Sequence, residues 1–433
     1  YRLKLSILQE IMRIYFIFTP CFIYCIYVNC NKMKNDYILK KYCMYIFYVG
    51  SGKFWNEQNT LVNDRSIWYR VYSGALFLVY GLMTVLEILA ALRGGFPEDE
   101  QRDAVTFAVS HTIVMIKIFS VTSKKKLINS LNSKMVTVCE DYEDESLMVE
   151  KYKIIRMNVI AYFVIVFSSV ACFIGEGLRK LHGGSHFVTA VTYYPSFDDD
   201  SFVATLVRVM NTVVLILMML TMIVSVDTFT VVHLIMYKYK LITLRRYFEK
   251  LSEDFVRDNQ SEYQDIAAEN LANGLIEGIR KHNDLLGLLK DIDEAFGSVM
   301  ALQLCQSSGT AVSLLLQIAL SDKLTLVAAM KIIFFVIALF FLLAVFLCNA
   351  GEITCQASLL SDAIFYCGWH TCPPHSATVP RHNARSLVPL AVMQAQRPLF
   401  IKAFNMLQLT YATFIQVLRA TYSVFALFYA RNK

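Results

Sequence analysis

The stretch from residue 324 to residue 347, LTLVAAMKIIFFVIALFFLLAVFL, decides the class of fold. It carries one charge, Lys331, in a run that is otherwise almost wholly apolar. An α-helix needs about 20 such residues to cross the roughly 30 Å hydrocarbon core of a membrane. A helix at the surface of a soluble protein would instead show one polar face to water. The segment therefore predicts a transmembrane helix.

Six other runs have a similar length and composition. Together they give seven predicted spans: Val71–Leu92, Ala104–Thr122, Met157–Gly175, Val203–Val226, Gly297–Leu320, Leu324–Leu347 and Phe404–Ala430. Apolar residues make up 56% of the 433 positions and charged residues 18%, which argues against a water-soluble globular fold. We predict an all-α membrane protein, because the runs are continuous and lack the two-residue alternation of a membrane β-barrel.

Charged residues interrupt or border several of these spans. Examples are Lys117, Arg208, Asp227, Lys331 and Arg419. An ionised side chain at the centre of a span costs about 2.5–3.5 kcal/mol on insertion scales. We therefore expect these side chains to face protein or water rather than lipid.

Lysine and arginine in the links between the spans predict the orientation. The links after the second, fourth and sixth spans are rich in both, beginning with Lys124, Lys125 and Lys126, whereas the other links carry few. Basic links favour the cytosol. The pattern predicts a cytosolic N-terminus and, after seven crossings, an extracellular C-terminus. A metabotropic G-protein-coupled receptor, the main alternative, has the opposite orientation, and its Asp-Arg-Tyr and Asn-Pro-x-x-Tyr motifs are missing from the expected spans.

The start of the chain leaves an ambiguity. Residues 11–28 are apolar enough to span, which would reverse the predicted orientation, but Arg13 and Pro20 interrupt the run. The same run also suits the hydrophobic region of a signal peptide. We interpret residues 1–32 as a non-native extension that precedes a start at Met33.

Two amphipathic stripes lie in the predicted cytosolic half. The first recurs at helical spacing ahead of the fifth span: Leu271, Leu275, Ile279, Leu286, Leu289 and Phe296. The second lies within residues 352–369: Ile353, Ala357, Leu360 and Ile364. Such stripes bury one helix face. We expect them to pack together as a cytosolic helical platform, the alternative being a helical hairpin without a role in assembly.

Short motifs in the C-terminal third occur in a set order: Gly351-Glu352, Tyr366-Cys367-Gly368-Trp369, Cys372-Pro373-Pro374, Gln394-Ala395-Gln396-Arg397-Pro398-Leu399 and Thr421-Tyr422-Ser423-x-Phe425. With this order and the inverted topology, the chain resembles the odour-tuned members of the insect odorant receptor family. The resemblance extends from about Met33 to the end and thins in the middle. Residues 375–380 form a longer link than is usual in the family. Related gustatory receptors carry a glutamine that this last span lacks, so a gustatory-type channel is the less favoured relative.

The resemblance implies a ligand-gated, non-selective cation channel, and not an enzyme. In the family, odour-tuned subunits form a heterotetramer with a shared co-receptor around one central pore. The last span lines that pore, the cytosolic platform supplies most subunit contact, and each subunit holds an odorant pocket in the outer half of the membrane. The expected location is the plasma membrane of an olfactory sensory neuron dendrite, and the expected partners are the co-receptor, lipid and a volatile ligand.

These inferences divide the remainder of the chain into six segments. They are a cytosolic N-terminal segment (33–70), spans one to four with the ligand pocket (71–236), a cytosolic helical region (237–296), spans five and six (297–347), the anchor helix and loop (348–403), and the pore-lining span with an extracellular tail (404–433).

Eight side chains in the predicted outer half suit a volatile, mostly apolar ligand. Aromatic and thioether groups supply dispersion contacts, and one or two polar groups fix the orientation of a ligand. The eight are Phe107, His111, Phe167, Phe173, Met210, Asn211, Met330 and Phe334. The alternative role for the Phe and Met residues is helix packing or lipid contact. For His111 it is that of a hydrogen-bonded core histidine.

The last span carries the predicted gate. We expect Leu427 and Phe428 to form an apolar ring that keeps the closed pore dry, with plain packing as the alternative. We expect structural or subunit contacts from five residues: Glu352, Trp369, Arg397, Arg419 and Tyr422. For Arg419 we expect an acidic partner, because a cation channel gains nothing from a guanidinium in its lumen.

Other classes of function lack support in the sequence. Cys367, His370, Cys372 and His375 have metal-like spacing, but the adjacent prolines and the similarity to a non-metal turn argue against zinc. We expect no cofactor, metal or catalytic site, because glycine-rich phosphate loops and hydrolase motifs do not occur. Basic residues cluster at membrane edges, so nucleic-acid binding is not indicated. A secondary transporter would show an internal repeat, which the sequence lacks.

Overall fold

Long helices form nearly all the regular structure of the computed structural model, which describes residues 34–55, 66–184, 186–199, 201–259, 264–320, 325–369, 384–404 and 406–431. The helices are α1 Asn35–Tyr48, α2 Ile67–Arg93, α3 Glu98–Ser123, α4 Lys125–Thr137, α5 Glu145–His182, α6 Phe202–Met222, α7 Phe229–Asn259, α8 Gln264–Leu320, α9 Leu326–Phe365, α10 Ala384–Ala395 and α11 Tyr411–Arg431. Two short antiparallel strands precede α11, β1 Lys402–Ala403 and β2 Leu407–Gln408. The predicted all-α fold class is confirmed.

Six helical stretches in the described residues are long and apolar enough to cross a membrane. They are Ile67–Arg93, Glu100–Ser123, Glu145–His182, Phe202–Asp258, Ile266–Ile318 and Leu326–Phe365. Each overlaps one of the first six predicted spans. The seventh predicted span overlaps α11, which is long enough for a crossing at about 1.5 Å per residue but contains Gln416 and Arg419. The count of seven spans and their orientation stay predictions.

Three long helical runs continue past the predicted membrane boundaries. α8 is a single helix of 57 residues, and α9 continues from the sixth predicted span through the amphipathic segment. α6 joins α7 through a π-helical turn at Ile223–Thr228, in which every residue is buried. The predicted segment boundaries at residues 236, 296 and 347 are therefore not breaks in the secondary structure.

The last helix begins later than predicted. The sequence suggested a helix from Phe404, but this residue has a φ of 50° in the turn between β1 and β2. α11 begins at Tyr411, and Thr410 caps it by accepting a hydrogen bond at its Oγ1 from the Thr413 N–H at 3.2 Å. The predicted start was wrong because apolar composition does not reveal a local turn.

The two amphipathic stripes pack into one hydrophobic core. Buried members from both stripes belong to the same cluster: Leu271, Leu275, Phe296, Ile353 and Leu360. α7 crosses α8 so closely that a Cβ atom at Gly278 would overlap the ring of Phe248. The stripes therefore do join α8 and α9 in one helical assembly. Its cytosolic position stays a prediction.

Candidate functional site

Five helices, α3, α5, α6, α8 and α9, surround a cavity inside the bundle with a volume of about 70 Å³. Its wall is mainly aromatic and aliphatic: Phe107, Val166, Val170, Phe173, Leu215, Met219, Met222, Phe335, Ala338, Leu339 and Leu342. The polar part of the wall consists of Ser110, His111, Tyr162, Ser169, Gln303 and Gln306. An apolar chamber with a few placed polar groups is the usual form of a small-molecule site.

Three of the eight predicted ligand residues line this cavity. The ring of Phe107 lies 5.3 Å from the imidazole of His111, with which it stacks, and 5.1 Å from the ring of Phe173. Phe335, which the sequence analysis did not select, completes the group at 5.5 Å from Phe173. These rings give the cavity flat, polarisable surfaces that suit an apolar ligand.

The structure does not bring the other five to the cavity. Three lie on the outer surface of the bundle, with exposed fractions of 53%, 44% and 37%: Met210, Met330 and Phe334. Asn211 donates to the hydroxyl of Thr192 at 3.1 Å, and Phe167 is buried against Phe163. A span that is apolar on every side gives no helical phase, so hydropathy could not separate inward from outward positions.

A buried acid and histidine pair lies at the cavity wall. His111 Nδ1 is 2.6 Å from Glu87 Oε2, and neither side chain has exposed surface. The second ring nitrogen, Nε2, has no hydrogen-bond partner among the described residues. An unsatisfied buried polar atom costs about 1–3 kcal/mol. Nε2 is therefore a hydrogen-bonding group available to a molecule in the cavity.

Two further charges lie directly behind the wall. Lys117 is fully buried and donates to Gln303 and, at 2.8 Å, to Gln306 Oε1. The hydroxyl of Tyr162 donates to Asp227 Oδ2 at 2.6 Å, and Asp227 attracts Lys117 electrostatically. Asp227 belongs to the π-helical turn, a distortion that often marks functional sites. Tyr162 and both glutamines line the cavity, so a ligand there would contact side chains that are hydrogen-bonded to Asp227 and Lys117.

Comparison with known proteins gives the family. The family model described as 7tm odorant receptor matches residues 99–422. The chain belongs to this odorant receptor family. The resemblance inferred from the C-terminal motifs is thereby confirmed. No curated protein matches the chain.

Solved structures of the insect olfactory receptor OR5 from Machilis hrabei have a similar fold. The structure in complex with eugenol aligns with a TM-score of 0.66 at 12% identity, covering 90% of this odorant receptor chain and 97% of the other. A second structure of OR5 aligns with a TM-score of 0.69 at 14% identity, covering 91% and 99%. At such low identity the likeness concerns the fold alone.

Most charges within the predicted spans of this odorant receptor meet protein, as expected. Lys331 lies 2.6 Å from Asp103 and 5.1 Å from the centre of the Phe173 ring. Arg208 donates to two carbonyl groups of the loop before α6, at 3.0 and 3.1 Å. Arg419 differs. It lies on an exposed face of α11, and within the described part of this subunit it pairs with no acidic side chain.

α11 leaves much of its surface uncovered. The predicted gate residues Leu427 and Phe428 are 69% and 40% exposed, and Tyr422 is 69% exposed. Between residues 411 and 430, Thr421 alone is buried. An apolar helix with this little packing requires lipid or a neighbouring subunit around it.

The remaining predicted contact residues divide into two groups. The hydroxyl of Tyr411 donates to Glu352 Oε2 at 2.9 Å, so Glu352 joins α9 to the start of α11. Trp369 Nε1 donates to the carbonyl of Phe365 at 2.9 Å. Arg397, like Tyr422, is exposed. The first two therefore have contacts inside the chain, whereas the last two lie on its surface.

No group of three or more His, Cys, Asp or Glu side chains in the described residues could hold a metal ion. His370, Cys372 and His375 lie outside those residues, as do the extension at 1–32 and the long link at 375–380.

Proposed function

We propose that this odorant receptor chain is the odour-tuned subunit of a ligand-gated, non-selective cation channel. A volatile, mostly apolar molecule binds in the cavity and opens a pore that the chain forms with the family's co-receptor. The site of action is the plasma membrane of an olfactory neuron dendrite. The observation that carries this proposal is the apolar cavity, with its aromatic wall and its one unsatisfied imidazole nitrogen.

The cavity must expand to hold such a ligand. Its volume of about 70 Å³ is well below the roughly 300 Å³ of a pocket that encloses a drug-sized molecule. Met219 and Met222 are flexible parts of the wall and can change shape at low cost. Binding therefore favours a state in which the helices around the cavity stand further apart. A ligand can shift the equilibrium only by its preference for that state.

α9 connects the cavity to the pore helix. Ala338 and Leu342 line the cavity, and the same uninterrupted helix carries Gly351 and Glu352 further along. The ring of Tyr411, the first residue of α11, packs against Gly351, and its hydroxyl donates to Glu352. A tilt of α9 at the cavity would therefore move the start of α11. This coupling needs no change in secondary structure, only a rigid-body shift of packed helices.

The exposed face of α11 is the part of the chain that suits a shared pore. Leu427 and Phe428 would meet their counterparts from other subunits and exclude water from the closed channel. In this proposal Arg419 finds its acidic partner on a neighbouring subunit.

Whole-cell recording tests the proposal. Cells that express this chain with an odorant co-receptor should carry an inward cation current when a volatile is applied, and cells with the co-receptor alone provide the control. A response that disappears when G-protein signalling is inhibited would favour the metabotropic alternative. Silence across a broad panel, despite surface expression, would refute the proposal. An epitope tag after Lys433 should be detected on intact cells, and detection only after permeabilisation would contradict the predicted orientation.

A further inference from the structure

The cavity offers unsatisfied hydrogen-bond donors, and we propose that its ligand is a volatile with a carbonyl oxygen, such as a ketone, aldehyde or ester. This inference rests on the proposed function of the cavity as the ligand site. It follows from the proton on His111 and from the orientation of Gln306, both of which line the cavity.

Net charge decides the state of His111 Nε2. The short contact between Nδ1 and Glu87 Oε2 shares one proton. Without a second proton on Nε2, the pair would carry a net negative charge, fully buried, and no lysine or arginine of the described residues pairs with Glu87. With that proton the pair is neutral overall, whichever partner holds the shared one. Uncompensated charge is far more costly to bury than a neutral pair, so the pair holds a second proton. Glu87 Oε1 and His111 Nε2 both lack a partner among the described residues, and because an imidazole nitrogen is intrinsically more basic than a carboxylate oxygen, we place that proton on Nε2.

Lys117 decides the orientation of Gln306. An ammonium group has donors only, so the amide atom that contacts it must be an oxygen. This applies to Gln303 and to Gln306, whose Oε1 lies 2.8 Å from Lys117. Gln303 then donates through Nε2 to Ser307 at 2.8 Å. The NH₂ of Gln306 is turned away from Lys117 and donates to no residue in the part of the chain that the structure describes.

A carbonyl oxygen matches two donors without adding a donor of its own. Its two lone pairs can accept from His111 and Gln306 together. An alcohol can accept as well, but its own proton must then reach an acceptor at the same time. An acceptor on this wall is the remaining lone pair of the Tyr162 hydroxyl, which donates its own proton to Asp227, and a carbonyl group has no such additional geometric requirement. A hydrocarbon leaves both donors unsatisfied. We therefore expect potency to fall from ketone to alcohol to hydrocarbon.

The test is a panel in which every ketone is accompanied by the alcohol and the hydrocarbon of the same skeleton, for example camphor, borneol and bornane. Current is recorded from cells that express the wild-type chain with a co-receptor. We expect the half-maximal concentration of each active ketone to lie about tenfold below that of its hydrocarbon, the equivalent of one well-placed hydrogen bond. Equal potency within a triplet, or a stronger response to the alcohol, overturns the inference and leaves the proposed function standing. If no compound evokes current, both fail.

Variants then locate the donor. The paired substitution of Glu87→Leu with His111→Leu removes both ionisable side chains together, because removing one alone would leave its partner buried and unpaired. We expect ketone potency to drop about tenfold and hydrocarbon potency to change little. Thr112→Ala is the matched control, since its hydroxyl donates to a carbonyl within α3 and does not line the cavity. Unchanged ketone potency in the paired variant refutes the assignment. If that variant fails to reach the surface, the wild-type triplets decide.

Discussion

The substitution Glu143→Gln would break a buried charge network where α1 meets α5 and α7. The Glu143 carboxylate lies 2.8 Å from Lys151 and 2.7 Å from Lys240, and all three side chains are at most 2% exposed. The amide of Asn35 donates to the same carboxylate at 2.9 Å and accepts from Lys151 at 2.5 Å. One carboxylate therefore holds two buried ammonium groups together.

The expected loss is large because glutamine keeps the shape and removes the charge. Breaking a buried ion pair costs about 3–5 kcal/mol, and proteins of ordinary stability have only about 5–15 kcal/mol in total. Burial alone would raise the pKa of Glu143, but Lys151 and Lys240 hold it below its usual value. Because the folded pKa is lowered, the stabilisation is present above the unfolded pKa and is lost as pH falls through the folded one. Mild acidification to about pH 5, above the usual glutamate pKa, should therefore not mimic the substitution.

An ion pair with a similar N–O distance but greater exposure to solvent is the matched control. Lys134 lies 2.6 Å from Asp291, but these side chains are 51% and 18% exposed. We expect Asp291→Asn to cost about 0–1 kcal/mol, because solvent screens such pairs. Thermal unfolding of the detergent-solubilised protein, followed by gel filtration, measures both variants, and surface expression gives a second readout. Equal losses in the two variants would refute the reasoning that burial sets the cost.

Three other substitutions address the cavity, the packing and the pore. Ala338→Phe places a ring in a cavity of about 70 Å³. Because the ring overpacks the cavity, the half-maximal odorant concentration should rise about tenfold or more, which dose-response recording at matched surface expression measures. At Gly177 a Cβ would lie 3.1 Å from a backbone carbonyl, which offsets the gain of about 1 kcal/mol expected when alanine replaces a glycine inside a helix; Gly177→Ala should therefore be less stable to heat than Gly175→Ala by about 1–3 kcal/mol. Gly175→Ala, with open space around its Cβ, should keep that gain, and equal stability of the two variants would contradict the packing argument. Leu427→Ser should increase current in the absence of odorant, because a polar ring wets a closed pore, whereas Leu92→Ser, at the end of α2, should leave that current unchanged.

The helical spans were predictable from composition because hydropathy is a local property. A long apolar run such as residues 324–347 has few stable environments other than a membrane, whatever the remainder of the chain does. The stripe that includes Leu271 and Phe296 likewise predicted a helix that continues into the fifth span, and α8 does so. The order of the C-terminal motifs gave the family, which the match over residues 99–422 confirms.

One missed residue carried a signal in the sequence. Glu87 is an ionisable side chain inside the first predicted span, and the rule that marked Lys117 and Asp227 applies to it equally. Its partner His111 was selected for its position, without the carboxylate that determines its protonation. A complete scan for charges within spans would have selected Glu87, but its contact with His111 on the next helix is visible only in the structure.

Which side chains face the cavity could not be read from the local sequence. Phe334 is partly exposed on the outside of the bundle, whereas its neighbour Phe335 lines the cavity. Both are phenylalanines, and they differ only by one step of about 100° around the same helix. The residue type therefore cannot tell which of them faces the cavity.

The amino-acid sequence by itself determined the all-α membrane class, the approximate spans and the family, since each depends on runs or motifs of consecutive residues. Only the tertiary structure decided which side chains share the cavity and which polar groups are left to meet a ligand. Those relations join residues as distant as Lys117 and Gln306, 189 positions apart. They depend on how separate helices rotate and slide against one another, and packing across the whole bundle sets that arrangement.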